Sequence, residues 1–79
     1  MPKLLFVDDE NDHHYYSNGS ICQLNRVIAY KWTVKNGIVY WADKLTDEWM
    51  EDTPYVQIAY RQYLTSLIVG TDEADSIHS

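Results

Sequence analysis

The chain has 79 residues, one cysteine and a formal net charge of −6. A chain of this length forms one domain with a thin core that buries about 60–65% of the unfolded surface. The lone Cys22 excludes an intramolecular disulfide and a paired-cysteine zinc site. The acidic balance argues against direct binding to the phosphate backbone of DNA or RNA, which requires clustered Lys and Arg.

No segment of the sequence predicts export or membrane insertion. Apolar runs such as Leu4 to Val7 and Leu67 to Val69 are far shorter than the ~18 residues of a membrane span. Met1 to Val7 lacks the long apolar stretch and the cleavage site of a secretory signal. We therefore expect a cytoplasmic protein that does not associate with membranes, in keeping with its single cysteine.

The N-terminal part of the sequence predicts a strand and then a long loop. Lys3–Val7 is apolar and stops at an acidic turn, as a short buried strand does. Asp8–Ser20 has turn-forming residues and no apolar period, so it is predicted as a loop with a tight turn at Asn18-Gly19. Loops of this length are uncommon in small domains and are often functional.

The middle of the sequence predicts a β-hairpin. Asn36-Gly37 is the strongest short signal for a type I′ turn, because both central residues need positive φ. Residue i then pairs with residue 73 − i, so Trp32 faces Trp41. The sequence does not decide whether Cys22–Arg26 extends the first strand or bends away from it. The apolar face of the hairpin is expected to carry Ile28, Tyr30, Trp32, Val34, Val39 and Trp41.

Two helical segments are predicted after the hairpin. Thr46, which precedes two acidic residues, is a candidate N-cap for a short helical turn over Asp47–Glu51. Thr53 precedes Pro54, which is favoured at the first helical position. Apolar residues then recur at helical spacing, which predicts a longer helix over Pro54–Val69 that ends at Gly70.

These elements predict an α+β fold. A small antiparallel β-sheet, made of the N-terminal strand and the Asn-Gly hairpin, is packed on one face by a C-terminal helix. The domain is expected to span residues 1–70, with an acidic flexible tail over 71–79. The second face of the sheet has no helix to cover it, so it is either solvated or used for association.

The sequence is rich in aromatic residues, with seven Tyr, three Trp and one Phe. They exceed what one small core hides, and Tyr and Trp are favoured at interfaces. We therefore expect a homodimer, a partner-binding face or both; the alternative is that the tyrosines line the wet edge of the core. Tyr15 and Tyr16 lie in the predicted loop, so at least one should be exposed. Trp49 stands between acidic residues, either as a binding anchor or as a plug of the core.

The acidic residues fall into three clusters: four in Asp8–Asp12, five in Asp43–Asp52 and three in Asp72–Asp75. Clustered carboxylates beside exposed aromatic rings favour a partner with a basic surface. The residues expected to contact that partner are Asp8, Asp9, Glu10, Asp12, Tyr15, Tyr16, Asp47, Glu48, Trp49, Glu51 and Asp52.

Motifs for catalysis are weak. The Asp8–His14 segment holds oxygen and imidazole donors of the kind that bind Zn, Mn or Ni, and Asp8, Asp12 and His13 would be the ligands. Their spacing matches no fixed site, and a solvated acidic loop is the simpler interpretation. A pair of Cys22 with a nearby histidine would lack an orienting group and an oxyanion hole. No phosphate-binding loop or hydrolase motif occurs, so we predict no cofactor, no metal and no enzymatic activity.

The first ten residues resemble the first strand of response-regulator receiver domains. In that family an apolar strand, here Lys3–Val7, ends in an acidic pair that binds magnesium, here Asp8 and Asp9. The family also needs a phosphorylated aspartate at the end of a buried strand and a lysine on a later strand. Asp52 does not follow an apolar strand, and Lys44 is the last lysine. The chain is also too short for five βα units, so the family is rejected.

The sequence favours a non-enzymatic binding protein that occludes a basic surface of a larger protein. A nucleic-acid-handling protein is the natural target, because its groove already accepts negative charge and this chain would act as a nucleic-acid mimic. Small acidic domains of this kind are often inhibitors, including anti-defence factors of phages and mobile elements. The alternatives are a homodimeric structural or adaptor subunit, and a metal-dependent hydrolase that uses the Asp8–His14 loop.

Overall fold

The computed structural model describes the backbone of residues 1–78 and the side chains of residues 1–68. One helix, α1 (Pro54–His78), follows a six-stranded antiparallel sheet and packs on one of its faces. The protein therefore has the predicted α+β fold. The strands lie in the sheet in chain order: β1 (Leu4–Asp8), β2 (His13–Tyr16), β3 (Ser20–Gln23), β4 (Arg26–Lys35), β5 (Ile38–Asp43) and β6 (Met50–Glu51).

The segment predicted as one long loop, Asp8–Ser20, contains a strand, so that prediction is wrong. β2 pairs with β1, and Phe6 lies opposite Tyr15. β2 begins with two histidines, which are polar, so the sequence shows no alternation of apolar and polar residues there. Both histidines are half-buried in the structure. The Asn18-Gly19 turn is present as predicted, and Gly19 takes a φ of 87°, which suits glycine.

A second tight turn resolves the segment that the sequence left open. Leu24 and Asn25 join β3 to β4 with φ values of 52° and 64°. Two positive φ values are typical of a type I′ turn, a conformation that leucine rarely adopts. The Leu24 N–H donates to Oδ2 of Asp12 at 3.2 Å, which ties this turn to the β1–β2 connection.

The central hairpin of β4 and β5 has the predicted register. Asn36 and Gly37 form the turn with φ values of 55° and 79°. Trp32 lies opposite Trp41, and the other pairs follow the same rule. The local chemistry of the Asn-Gly turn is therefore sufficient to fix the pairing of these two strands.

The short helical turn predicted over Asp47–Glu51 is absent. Residues 46–49 are irregular, and Met50-Glu51 forms β6, which pairs with Tyr40 and Trp41 of β5. Backbone pairing with β5 prevails over the weak helical preference of this acidic segment, since propensity is easily overridden by tertiary context.

The start of α1 is as predicted. The Val56 N–H donates to Oγ1 of Thr53 at 3.3 Å, so Thr53 is the N-cap and Pro54 the first helical residue. The helix continues past Gly70, where the sequence predicted its end. A glycine inside a helix costs only about 1 kcal/mol relative to alanine and does not stop it. The flexibility of 71–79 stays a prediction, and the side chains of residues 69–79 lie outside the described part of the structure. No helix within the described residues has both the length and the apolar character needed to cross a membrane.

The core lies between α1 and one face of the sheet, and it is mostly aromatic. Phe6 stacks on Tyr15 with ring centroids 4.6 Å apart, and Trp32 meets both rings edge-on. Tyr60 and Tyr63 of α1 contact the Phe6 ring. The fully packed apolar side chains of this core are Phe6, Tyr15, Ile21, Val39 and Val56. Several of the aromatic residues predicted to form an interface are thus used inside the domain.

Candidate binding site

The fold brings the first two acidic clusters to the same end of the sheet. In a sheet whose strands follow chain order, alternate connections share an end, so β1–β2, β3–β4 and β5–β6 are connected at one end. This end, called here the acidic end, has seven carboxylates. Its basic side chains are Arg26, Lys44 and Lys31, whose Nζ lies 3.0 Å from Oδ1 of Asp47. The two turns at the opposite end, Asn18-Gly19 and Asn36-Gly37, carry no carboxylate. The acidic residues of the acidic end are Asp8, Asp9, Glu10, Asp12, Asp43, Asp47 and Glu48.

Two of the predicted partner contacts at the acidic end have structural roles. Asp8 is fully buried; its Oδ1 accepts from the Glu10 N–H and its Oδ2 from the Asn11 side chain, both at 3.0 Å. Asp12 accepts from the Leu24 N–H, and its Oδ1 lies 3.1 Å from Nε2 of His14. These hydrogen bonds hold the pKa of Asp12 below its usual range. Asp8 therefore presents no surface to a partner.

The other predicted acids are available to solvent. Asp9, Glu10, Glu48 and Glu51 are exposed. The Asp47 side chain is 91% exposed although it accepts from Nζ of Lys31 at 3.0 Å. An ion pair with so exposed a partner is weak, so Asp47 can exchange Lys31 for a cation of another protein.

The predicted aromatic contacts are placed differently from one another. Tyr15 is 1% exposed and belongs to the core. Tyr16 is half-buried, and its carbonyl accepts from the Trp32 indole N–H at 2.9 Å. Trp49 is 39% exposed and is not part of the core cluster; Nζ of Lys31 lies 5.2 Å from its ring centroid. Of the two interpretations of Trp49, the plug of the core is thus wrong.

A pocket of about 270 Å³ opens on the helix-side face of the sheet, between the start of α1 and the acidic end. No described residue of α1 is among those that line the pocket; Asp52 and the N-cap Thr53, which directly precede the helix, line it instead. The side chains of α1 pack on the core, on another part of the same face. Strands β2 to β5 form its floor and one wall. Its lining residues are Asn11, His13, Tyr15, Ile21, Tyr30, Trp41, Asp52 and Thr53.

One of the side chains that line the pocket is a carboxylate, that of Asp52. The Tyr15 hydroxyl donates to Oδ2 of Asp52 at 2.8 Å, and the Thr53 N–H donates to Oδ1 at the same distance. Burial raises the pKa of Asp52 above its usual range, and the nearby charge of Asp8 adds to the rise, whereas the two hydrogen bonds and His13 oppose it. Burial, followed by the charge of Asp52, also raises the pKa of Tyr15, so its hydroxyl stays a donor.

Two aromatic rings form the outer wall of the pocket. Tyr30 and Trp41 meet edge-on with centroids 5.1 Å apart, and this pair is called here the aromatic wall. A second, wider hollow lies on the other side of the wall, where Asp43 and Glu48 are among its lining residues. The aromatic wall therefore has carboxylates on both sides.

The Asp8–His14 segment does not assemble a metal centre in the part of the chain that the structure describes. There, no three side chains of the His, Cys, Asp and Glu types come together in an arrangement that could hold a metal ion. The Asp8 carboxylate accepts a hydrogen bond within its own turn, and the Asp12 carboxylate accepts one from Leu24 in the β3–β4 turn.

Sequence reasoning placed Tyr30 and Trp41 on the apolar face of the hairpin but did not identify them as site residues. What distinguishes them is that α1 leaves this part of the face uncovered, and no local pattern reports the path of the helix. Comparison with protein-family models, with curated proteins and with solved structures gives no match to this chain. The site is therefore interpreted from its geometry and charge.

Proposed function

We propose that the protein is a non-enzymatic inhibitor or regulator that binds a basic surface of a larger protein through its acidic end. The observation that carries this proposal is the concentration of six solvent-accessible carboxylates at one end of the sheet, where Asp8 is the seventh but is buried. A predominantly acidic surface of this kind accelerates encounter with an oppositely charged partner and disfavours acidic ones.

The chemistry of the target follows from that charge. A protein that handles nucleic acids presents Lys and Arg to phosphate groups, and the acidic end offers carboxylates to the same cations. Binding there would exclude the nucleic acid by competition, which is how an anti-defence factor of a phage or mobile element would act. The protein needs no reaction of its own for this role.

Capture of partners from a nuclease-treated lysate tests the proposal, with three baits. The wild type is compared with an acidic-end variant, Asp9→Asn, Glu10→Gln and Glu48→Gln. The matched control removes the same charge from the third cluster through Asp72→Asn, Glu73→Gln and Asp75→Asn. Asp9, Glu10 and Glu48 are exposed and their carboxylates accept no hydrogen bond within the described residues, so the fold should persist.

A nucleic-acid-handling protein that is retained by the wild type and by the control, lost from the acidic-end variant and eluted by moderate salt would support the proposal. Equal retention by the acidic-end variant would contradict it. Loss from both variants would show that total charge matters and that the acidic end does not.

A homodimer is the second candidate, and the exposed apolar side chains of α1 favour it. Leu64 and Ile68 are one helical turn apart and are 39% and 67% exposed. Sedimentation equilibrium of the wild type and of Leu64→Lys tests this, with Thr65→Lys as the exposed neighbour on the same helix. A dimer that dissociates only in Leu64→Lys supports self-association through α1, and a monomeric wild type removes this candidate.

A further inference from the structure

The pocket on the helix-side face has the size of one side chain. Its volume of about 270 Å³ lies just below the ~300–1,000 Å³ of pockets that enclose whole small molecules. It opens beside the acidic end, where a bound protein would be held against the sheet. A projecting side chain of that protein is therefore the occupant that the volume fits.

The charge of the pocket selects a cation. Each Asp52 oxygen accepts one hydrogen bond, whereas a carboxylate offers about four acceptor positions, so acceptor capacity remains on both oxygens. The buried Asp8 is close enough for its negative charge to act on Asp52 as well. No Lys or Arg is among the described residues that line the pocket.

The start of α1 does not reverse this preference. A helix N-terminus carries roughly half a positive charge, less than the opposing charges of two carboxylates, Asp52 and Asp8. One of the N–H groups that would bind an anion is occupied, since the Val56 N–H donates to Thr53. The Thr53 N–H already donates to Asp52.

The aromatic wall selects among cations. Tyr30 and Trp41, whose ring planes lie at 73° to each other, line a pocket that also holds a carboxylate. A guanidinium group is planar, stacks on aromatic rings and donates two parallel hydrogen bonds to a carboxylate, whereas an ammonium group is a compact and strongly hydrated charge. Arginine matches this combination better than lysine does.

The chain itself contains the same combination on the other face of the sheet. Nζ of Lys31 lies 5.2 Å from the centroid of the Trp49 ring and 3.0 Å from Oδ1 of Asp47. There a cation, an aromatic ring and a carboxylate are all supplied by the domain. In the pocket the domain supplies the ring and the carboxylate but no cation.

We propose that the pocket formed by Asp52 and the aromatic wall binds the guanidinium group of an arginine side chain presented by the basic partner. This inference rests on the proposed function for the identity of the partner, but the pocket is testable without it. The arginine would stack on Tyr30 or Trp41 and donate to Asp52, which anchors the partner at one point while the acidic end supplies long-range attraction.

The test is a titration of the ¹⁵N-labelled protein with Nα-acetyl-argininamide, followed by NMR. Nα-acetyl-lysinamide is the probe with an equal charge, and Nα-acetyl-norvalinamide is the uncharged one. We expect saturable shifts of the Trp41 indole N–H and of the Thr53 amide with the arginine probe. Affinity should be at least about tenfold weaker with the other two, since each charge-assisted hydrogen bond is worth about a factor of ten or more. The lysine probe makes one such bond fewer to the carboxylate than the arginine probe does, and the norvaline probe makes none.

Two pocket variants and two matched controls complete the test. Asp52→Asn removes the charge but keeps an acceptor for Tyr15, and its control Glu51→Gln changes the neighbouring, exposed acid that does not line the pocket. Tyr30→Leu removes part of the wall, and Tyr55→Leu is its control because the two tyrosines are similarly exposed, 38% and 42%. The amide spectrum of each variant reports whether it is folded.

Loss of about tenfold in arginine affinity in both pocket variants, with both controls unchanged, would establish the pocket as a guanidinium site. Equal binding of the lysine and arginine probes would overturn the inference, as would shifts that do not saturate or that survive Asp52→Asn. None of these results decides the proposed function, since that is tested by the partners that the acidic end retains; a partner retained by the wild type and equally by Asp52→Asn would refute only the pocket.

Discussion

The side chain of Gln57 on α1 is expected to stabilise the fold through hydrogen bonds to the backbone of β5. Its Oε1 accepts from the Val39 N–H at 2.9 Å, and its Nε2 donates to the Val39 carbonyl at 2.9 Å and to the Asp52 carbonyl at 3.2 Å. Val39 is fully buried, and β6 ends before it reaches Val39. Asp52, directly after β6, donates its N–H to the Val39 carbonyl at 2.9 Å, so only the Val39 N–H depends on Gln57 alone. The amide of Gln57 therefore takes the place of a neighbouring strand.

Gln57→Ala leaves the Val39 N–H without a partner and removes one of the two donors to the Val39 carbonyl, which keeps the Asp52 N–H at 2.9 Å. Each lost hydrogen bond costs about 0.5–1.5 kcal/mol, and a buried group left unsatisfied costs about 1–3 kcal/mol. We therefore expect a loss of about 2–4 kcal/mol in the free energy of unfolding. A domain of this size has only about 4–12 kcal/mol in total, so the loss is a large fraction of its stability.

Urea unfolding followed by tryptophan fluorescence measures this loss as a fall in the midpoint at an unchanged m value. Gln62→Ala is the matched control, because Gln62 is an exposed glutamine of the same helix. The control should change the free energy by less than about 0.5 kcal/mol. A Gln57→Ala variant as stable as the Gln62→Ala variant would refute the strand-replacing role of this side chain.

Three further changes test the hydrogen bonds and turns around the pocket. Tyr15→Phe removes a donor from a half-buried carboxylate and should lower the free energy of unfolding by about 1.5–3 kcal/mol in the same urea assay; a loss below that range would show that solvent replaces the hydroxyl. Burial raises the folded-state pKa of Asp52 above its usual value of 3.8, so the folded chain holds this proton more tightly than the unfolded chain does. The stability that this proton contributes falls as pH rises from 3.8 through the raised pKa. As pH rises over that interval, the free energy of unfolding of Asp52→Asn should therefore increase relative to that of the wild type. A difference between the two free energies that is independent of pH would contradict the raised pKa. Leu24 is exposed and has a positive φ, so Leu24→Asn should raise the unfolding free energy by about 0.5–1 kcal/mol, and destabilisation would show that the leucine makes contacts worth more than the strain.

The parts of the fold that depend on local chemistry were predictable. The Asn36-Gly37 turn fixes its hairpin, and the Thr53 cap fixes the start of α1, because each signal involves residues that are adjacent in the chain. β2 was missed because it is stabilised by contacts with residues outside its own segment. Tyr15 stacks on Phe6 and donates a hydrogen bond to Asp52, which lies 37 residues away. Such distant contacts leave no periodic pattern in the sequence.

The candidate site was predictable in its composition but not in its arrangement. The clustering of acids is visible in the sequence, but that two clusters share one end follows from the six-stranded order of the sheet. The sequence also does not show which acids are accessible. The Asp8 carboxylate is buried and accepts hydrogen bonds within its own turn, whereas Glu48 is exposed. The pocket exists because α1 covers only part of the helix-side face, and the path of a helix over a sheet is set by core packing.

The most direct test of the proposed function is the salt dependence of the dissociation constant for a partner captured by the wild type. The logarithm of the binding constant should fall steeply with the logarithm of salt concentration for the wild type and for the Asp72→Asn, Glu73→Gln, Asp75→Asn control. The slope should be shallower, and the affinity at low salt weaker, for the variant Asp9→Asn, Glu10→Gln, Glu48→Gln, because fewer charge pairs form. Binding that is insensitive to salt, with equal affinity in all three proteins, would contradict a function based on the acidic end.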